Sequence, residues 1–263
     1  MTLVMGIVNV TPDSFSDGGR YLDPDVAIAH ARLLRAQGAD LLDVGGESTR
    51  PGAQRVAPRV EQQRVLPVVE ALASEGAFVS IDTMNAATAV AAVRAGARLV
   101  NDVSGGLADP DMLTAMAETG ADIALGHWRG PSAEMYARAD YADVAREVAD
   151  ELDERVAAAA DAGIDASRIV VDPGIGFGKR GAQNWQTLRA LPALAARGHR
   201  VLVGTSRKRF LAETLGEDVD LARRDLATAV TSALAAGAGA WAVRVHDVPT
   251  TRDALAVARA WES

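Results

Sequence analysis

Val4-Met5-Gly6-Ile7-Val8-Asn9-Val10-Thr11-Pro12-Asp13-Ser14-Phe15-Ser16-Asp17-Gly18-Gly19 decides how the rest of the chain is read. An apolar run ends abruptly in Asn9 and gives way to a loop of Pro, Asp, Ser and Gly with one aromatic, Phe15. Near-continuous Val/Ile runs mark parallel strands buried on both faces. A Gly- and acid-rich loop at the carboxyl end of such a strand is where parallel α/β folds keep their chemistry. The same order then recurs along the chain. Apolar runs at 3–8, 40–44, 78–81, 98–100, 122–125, 168–171, 201–203 and 241–245 predict strands. Amphipathic, Ala-rich segments at 25–37, 61–74, 86–95, 110–118, 141–162, 185–196, 221–236 and 250–261 predict the helices between them. Gly38, Gly76, Gly96, Gly120, Gly163 and Gly198 stand where several of those helices should stop. Eight strand–helix pairs with no linker predict an α/β protein, one (β/α)8 TIM-barrel domain over 1–263. A doubly wound open sheet is the alternative.

The totals narrow the function classes. A formal net charge of -8 over 263 residues argues against nucleic acid as a partner. It leaves room for an anionic small molecule, because a local cationic pocket outweighs distant screened charge. Cysteine is absent, which removes disulfides, thiolate metal sites and a Cys nucleophile together and fits a reducing, cytoplasmic setting. The N-terminal Met1-Thr2-Leu3-Val4 lacks the basic leader of a secretory signal. The uncharged stretch 226–243 is long enough to test as a membrane span, but it is mostly Ala and is broken by Gly237 and Gly239. A helix followed by Gly and a short strand explains it better, so no membrane contact is expected.

In a barrel of this kind the active site lies at the carboxyl ends of the strands. Those positions hold Asn9, Gly45-Gly46-Glu47-Ser48-Thr49-Arg50, Asp82, Asn101-Asp102, Gly126-His127, Asp172-Pro173-Gly174, Gly204–Lys208 and Arg244-Val245-His246. One polar residue at a strand end is no signal, since a helix N-cap accounts for it. All eight converging on one mouth is a signal. Asp82, Asn101 and Asp172 form an acid and amide group. It suits a flat heterocycle that offers paired N–H donors, with a divalent metal and simple helix capping as the rival roles. Arg50, Arg207, Lys208, Arg209, Arg244 and His246 form a cationic group matched to phosphate oxygens, with Arg209 read as a surface ion pair. Thr49 and Asn9 add neutral donors, or oxygen ligands for a phosphate-bound Mg²⁺. Gly18-Gly19 hinge a first loop whose Asp13, Phe15 and Asp17 are placed to close over a substrate, unless it is a plain surface loop. His127 reads as a satisfied structural histidine or a site residue. No Gly-x-Ser-x-Gly, His-Glu-x-x-His or P-loop is present.

The opening motif, Asp43-Val44-Gly45-Gly46-Glu47-Ser48-Thr49-Arg50-Pro51-Gly52, Ser80-Ile81-Asp82-Thr83 and Asn101-Asp102-Val103-Ser104-Gly105-Gly106 resemble the dihydropteroate synthase family. So do Asp172-Pro173-Gly174-Ile175-Gly176-Phe177-Gly178-Lys179, Ser206-Arg207-Lys208-Arg209 and Arg244-Val245-His246-Asp247-Val248, in order and over nearly the whole chain. The resemblance implies a transferase that joins a dihydropterin methyl pyrophosphate to p-aminobenzoate and releases pyrophosphate. It implies that Asp82, Asn101, Asp172 and Lys208 hold the pterin. Asn9, Thr49, Arg50, Arg244 and His246 would hold the pyrophosphate, with Asn9 beside Mg²⁺. Phe15 and Asp17 would close beside Pro51, Lys208 and Phe177 around the aminobenzoate, in a homodimer. A pterin-binding methyltransferase barrel is the rival, disfavoured by the phosphate cations; a non-catalytic pterin-binding paralogue is the third. One departure stands out: the family's Met-His-Met-Arg-Gly is Gly126-His127-Trp128-Arg129-Gly130 here, which predicts a hole against the pterin unless a neighbour fills it.

Overall fold

Alternation along eight short strands fixes both the core and the site. The structure, a computed structural model, describes residues 1–11, 24–48, 55–131, 136–216 and 219–262. The strands are β1 (Leu3–Asn9), β2 (Leu41–Gly45), β3 (Val79–Asp82), β4 (Leu99–Asp102), β5 (Asp122–Gly126), β6 (Ile169–Asp172), β7 (Arg200–Val203) and β8 (Ala242–Val245). They pair in chain order, all parallel, and β8 returns to β1 to close the barrel, so the open-sheet alternative falls. Between them run α1 (Pro24–Ala36), α2 (Pro58–Ser74), α3 (Ala86–Arg94), α4 (Met112–Thr119), α5 (Val144–Asp161), α6 (Gly181–Arg189), α7 (Leu191–Ala195), α8 (Arg209–Leu215), α9 (Leu221–Gly237) and α10 (Val248–Glu262).

Successive strand side chains point to opposite faces. One set, including Val4, Leu42, Val79, Val100, Ile123, Val171, Val203 and Val243, packs against the helices in the main hydrophobic cluster. The other set starts as an apolar floor of Met5, Leu41, Leu99, Ala124, Val170, Leu202 and Ala242. Two residues further along each strand, this inward face reads Ile7, Asp43, Asn101, Gly126, Asp172, Gly204 and Arg244, so the barrel turns polar only at its carboxyl mouth. The helices keep close to the strands: α1 buries Ala27, Ile28, Ala31 and Leu34, and Leu34 lies so near Gly6 that a Cβ there would meet it at 3.1 Å.

Every expected glycine stop has positive φ, from 75° at Gly76 to 110° at Gly96, the left-handed conformation that ends a helix. Two helix expectations change. The segment 185–196 is two helices, because Pro192 lacks the N–H that would continue α6 and instead sits in the first turn of α7. The short α8, seven residues, is too brief to show a helical period in the sequence. Among the described residues no helix is long and apolar enough to cross a membrane, and the stretch 226–243 divides between α9 and β8.

Candidate active site

Arg244 is the hinge of the mouth. Its Nε donates to Asp43 Oδ2 at 2.5 Å and its second terminal nitrogen to Asp82 Oδ2 at 2.7 Å, while Asn101 Nδ2 donates to the same Asp43 oxygen at 3.0 Å. β2, β3, β4 and β8 are thereby tied across the barrel by side chains alone. Asp43 is fully buried, Asp82 7% exposed and Asn101 2%. Asp43 Oδ1 has no partner among the described residues and is a buried acceptor left over. Burial works against the Arg244 charge, but Asp43 and Asp82 outweigh it and raise its pKa further. One cation serves two carboxylates, so burial wins at Asp82. Its pKa is raised, with Arg244 opposing and Asp43 adding to the rise.

On the facing side, Asp172 ends β6, and its Oδ1 accepts from Gly174 N at 2.7 Å. Burial raises its pKa and Lys208 opposes that. Lys208 lies across Gly176, where a Cβ would come within 2.8 Å of its Cδ, and its ammonium donates to Ile175 O. The same ammonium stands 4.6 Å from the centre of the Phe177 ring, a cation–π contact. Burial pushes the Lys208 pKa down to about 8 against the pull of Asp172. His246 follows β8, and its Nδ1 is 2.8 Å from Ser206 Oγ, which also accepts from His246 N at 3.1 Å. Asn9 ends β1 level with Gly45, close behind Asp82.

The structure thus gathers Asp82, Asn101, Asp172, Phe177, Lys208 and Arg244, with His246 and Asn9 on the same rim. Phe15, Asp17, Thr49, Arg50 and Pro51 lie outside the described residues. Arg207 leaves the expected cationic group: it forks onto Asp225 of α9 at 2.7 and 2.8 Å. Arg209 is a surface pair with Glu213, as expected. Asp43 is a site residue that the sequence reading does not single out; its signal is a carboxylate inside the apolar run 40–44. His127 proves structural. Burial pushes its pKa down to about 4, and the neutral ring fits between Glu151 at Nε2 (3.0 Å) and the buried Lys179 at Nδ1 (2.9 Å). That lysine in turn donates to Gly174 O and Phe177 O, fastening the loop after β6 from behind.

Gly126 corrects the expectation of a hole. A Cβ there would meet Val103 O at 2.5 Å and Val103 C at 2.7 Å, so the backbone after β4 already fills the space. Gly126→Ala is therefore expected to push that turn outward and to destabilise the protein by about 1–3 kcal/mol in denaturant titration, the usual range for overpacking. An unchanged midpoint would contradict it.

Among the described residues no group of three or more His, Asp or Glu is placed to hold a metal ion. Asn9, half-buried at the end of β1, brings one carboxamide to the rim. One neutral oxygen suits a hard cation bound mainly by phosphate oxygens and water, and does not suit a resident metal centre.

Comparison with known proteins agrees with this fold. A family profile described as pterin binding enzyme matches residues 5–246. A dihydropteroate synthase of Mycobacterium leprae is 54% identical over 263 residues, spanning 98% of this chain and 93% of its own length. The Xanthomonas albilineans dihydropteroate synthase solved with 4-aminobenzoic acid superposes with a TM-score of 0.92 at 45% identity, covering 100% of this chain and 93% of that one. The same enzyme in complex with 7,8-dihydropteroate gives 0.89 at 43% identity, covering 100% and 94%. The chain belongs to the pterin binding enzyme family.

Proposed function

We propose that the protein is a dihydropteroate synthase. It condenses 6-hydroxymethyl-7,8-dihydropterin pyrophosphate with p-aminobenzoate to give 7,8-dihydropteroate and pyrophosphate. The observation that carries this is the pairing, on one rim, of an acid and amide set with cations. Asp82, Asn101 and Asp172 offer acceptors to a ring edge rich in N–H, and Lys208 adds a donor on the same side. Lys208 points towards the loop after β6, which supports the ring role over a phosphate role. Arg244 spends two of its five N–H groups on Asp43 and Asp82, leaving three for diphosphate oxygens. Each Arg–phosphate pair near 4 Å is worth about 4 kcal/mol at an effective dielectric near 20, before desolvation. His246, Thr49, Arg50 and Asn9 complete the diphosphate site.

The bond between the exocyclic methylene and the diphosphate oxygen breaks, the amine nitrogen bonds to that carbon, and the nitrogen gives up one of its two protons to solvent or to the departing diphosphate. The electron-rich pterin carries positive charge on the carbon, and the buried carboxylates stabilise it. The leaving diphosphate takes its electron pair into the cationic site. No protein nucleophile is required. Mg²⁺, held by Asn9 and phosphate oxygens, would supply further charge neutralisation. Phe15, Asp17, Pro51 and Phe177 shape the aminobenzoate site and keep water out.

We further read residues 1–263 as one domain of a cytoplasmic homodimer. Leu226, Val230 and Leu234 form an exposed apolar row at four-residue spacing on α9, and Val257 and Trp261 lie exposed on α10, which packs beside it. Such a strip suits a second copy of the chain.

The test is release of pyrophosphate from the pterin pyrophosphate, with Mg²⁺, in the presence and absence of p-aminobenzoate. Amine-dependent release supports the proposal; tight pterin binding without release supports a non-catalytic binder. The pH profile adds a check. Lys208 is needed as an ammonium, so kcat/KM is expected to fall as pH rises through about 8. A profile flat to about pH 9.5 would contradict that role.

A further inference from the structure

The face that α9 turns inward differs from those of α1 and α5. α1 buries only apolar residues and α5 buries Val144, Val148, Leu152 and Ala159, whereas α9 buries Asp225, Thr228, Ala229, Thr231, Ser232 and Ala235. Asp225, Thr228 and Thr231, three residues apart, share one side of the helix. What they touch is the turn after β7. Thr231 Oγ1 meets Thr205 Oγ1 at 2.8 Å, and Thr228 Oγ1 accepts from Arg207 N at 3.1 Å. Asp225 takes both prongs of the Arg207 guanidinium, Nε on Oδ1 and a terminal nitrogen on Oδ2.

That turn is strained. Arg207 has φ 58°, and among the described residues it is the one non-glycine with positive φ. A left-handed residue of this kind persists only where its surroundings hold it, and such residues gather at functional sites. The strain is adjacent to two site groups. Ser206 bonds His246 on one side of Arg207, and Lys208 crosses Gly176 to Ile175 O on the other.

We propose that Arg207 is a positioning residue. Its fork onto Asp225, together with Thr228, holds the turn that presents Ser206 and Lys208 to the mouth, and its guanidinium does not touch substrate. The proposal rests on the functional reading above only for the reaction by which it is assayed.

Asp225→Asn removes the fork while keeping the side-chain shape. Arg207→Gly removes the guanidinium but accepts the left-handed backbone without strain. Each is expected to lower kcat/KM by about ten- to a hundredfold, the scale of a misplaced catalytic group. The double variant should be no worse than the worse single, because both act through one interaction. Amide hydrogen exchange of the peptide 204–209, followed by mass spectrometry, should quicken in Asp225→Asn while the β-strands keep wild-type protection. This arm needs no turnover. A wild-type chain that fails to turn over would sink the functional reading alone, and exchange would still decide the positioning. Wild-type exchange at 204–209 in Asp225→Asn would overturn the proposal. So would losses that multiply in the double variant, which would put Arg207 on the substrate independently of Asp225.

Discussion

Replacing Lys208 or Asp172 with alanine should abolish useful turnover, lowering kcat/KM by roughly a hundred- to a thousandfold. Losing one preorganised group aimed at the charge that develops costs about 2.7–4 kcal/mol, and each 1.36 kcal/mol is a factor of ten in rate. Lys208→Ala removes a ring donor, the cation over Phe177 and the charge that opposes the burial of Asp172. Without that charge the Asp172 pKa is expected to rise further, which weakens it as an acceptor for a ring edge. Asp172→Ala has the converse effect, because Asp172 is what keeps the Lys208 pKa from falling further. Neither side chain belongs to the apolar clusters, so thermal melting should move little. Near-normal rates in either variant would overturn the site assignment.

Arg244→Ala should have the largest effect on stability. Asp43 and Asp82 are buried and share this cation, so its removal strands two carboxylates within hydrogen-bond reach of the same lost group. Breaking a buried pair by removing one partner costs about 3–5 kcal/mol. At about 2–4 °C per kcal/mol for a chain of this size, melting should fall by roughly 6–20 °C. The deficit carries a pH signature. The Asp82 pKa is already raised in the fold and must rise further without Arg244. The Asp82 penalty is absent below the unfolded value near 4, grows as pH climbs from there to the raised folded value and is constant above it, so the further rise in the variant adds its cost on the alkaline side. Arg244→Ala should therefore look closest to wild type in mild acid and worst at alkaline pH. An unchanged melting temperature at pH 8, read by calorimetry, would contradict the account of the mouth.

Much of this was legible in the sequence because a closed parallel barrel writes its geometry in short periods. Apolar runs gave all eight strands, and glycines that must be left-handed marked helix ends. Asp82, Asn101, Asp172 and His246 could be picked out because each stands where an apolar run ends, and Arg244 because a lone cation interrupts the last run. Asp43 escaped because it lies inside its run, and only the two-residue alternation shows that it shares the inward face of Asp82 and Arg244. Arg207 was placed among the phosphate cations because a sequence carries no sign of the φ that turns it away to α9. Gly126 looked like a missing side chain because the partner that fills its space is backbone, from Val103, and backbone leaves no compositional trace.

The central claim is that one rim holds a flat ring on acids and an amide and its diphosphate on cations. A crystal structure of the complex with a non-hydrolysable dihydropterin diphosphate analogue and Mg²⁺ tests it most directly. The account predicts the ring edge on Asp82, Asn101 and Asp172 and the diphosphate against Arg244 and His246. A diphosphate seated on Lys208 and Asp172, with the ring turned towards Arg244, would contradict it.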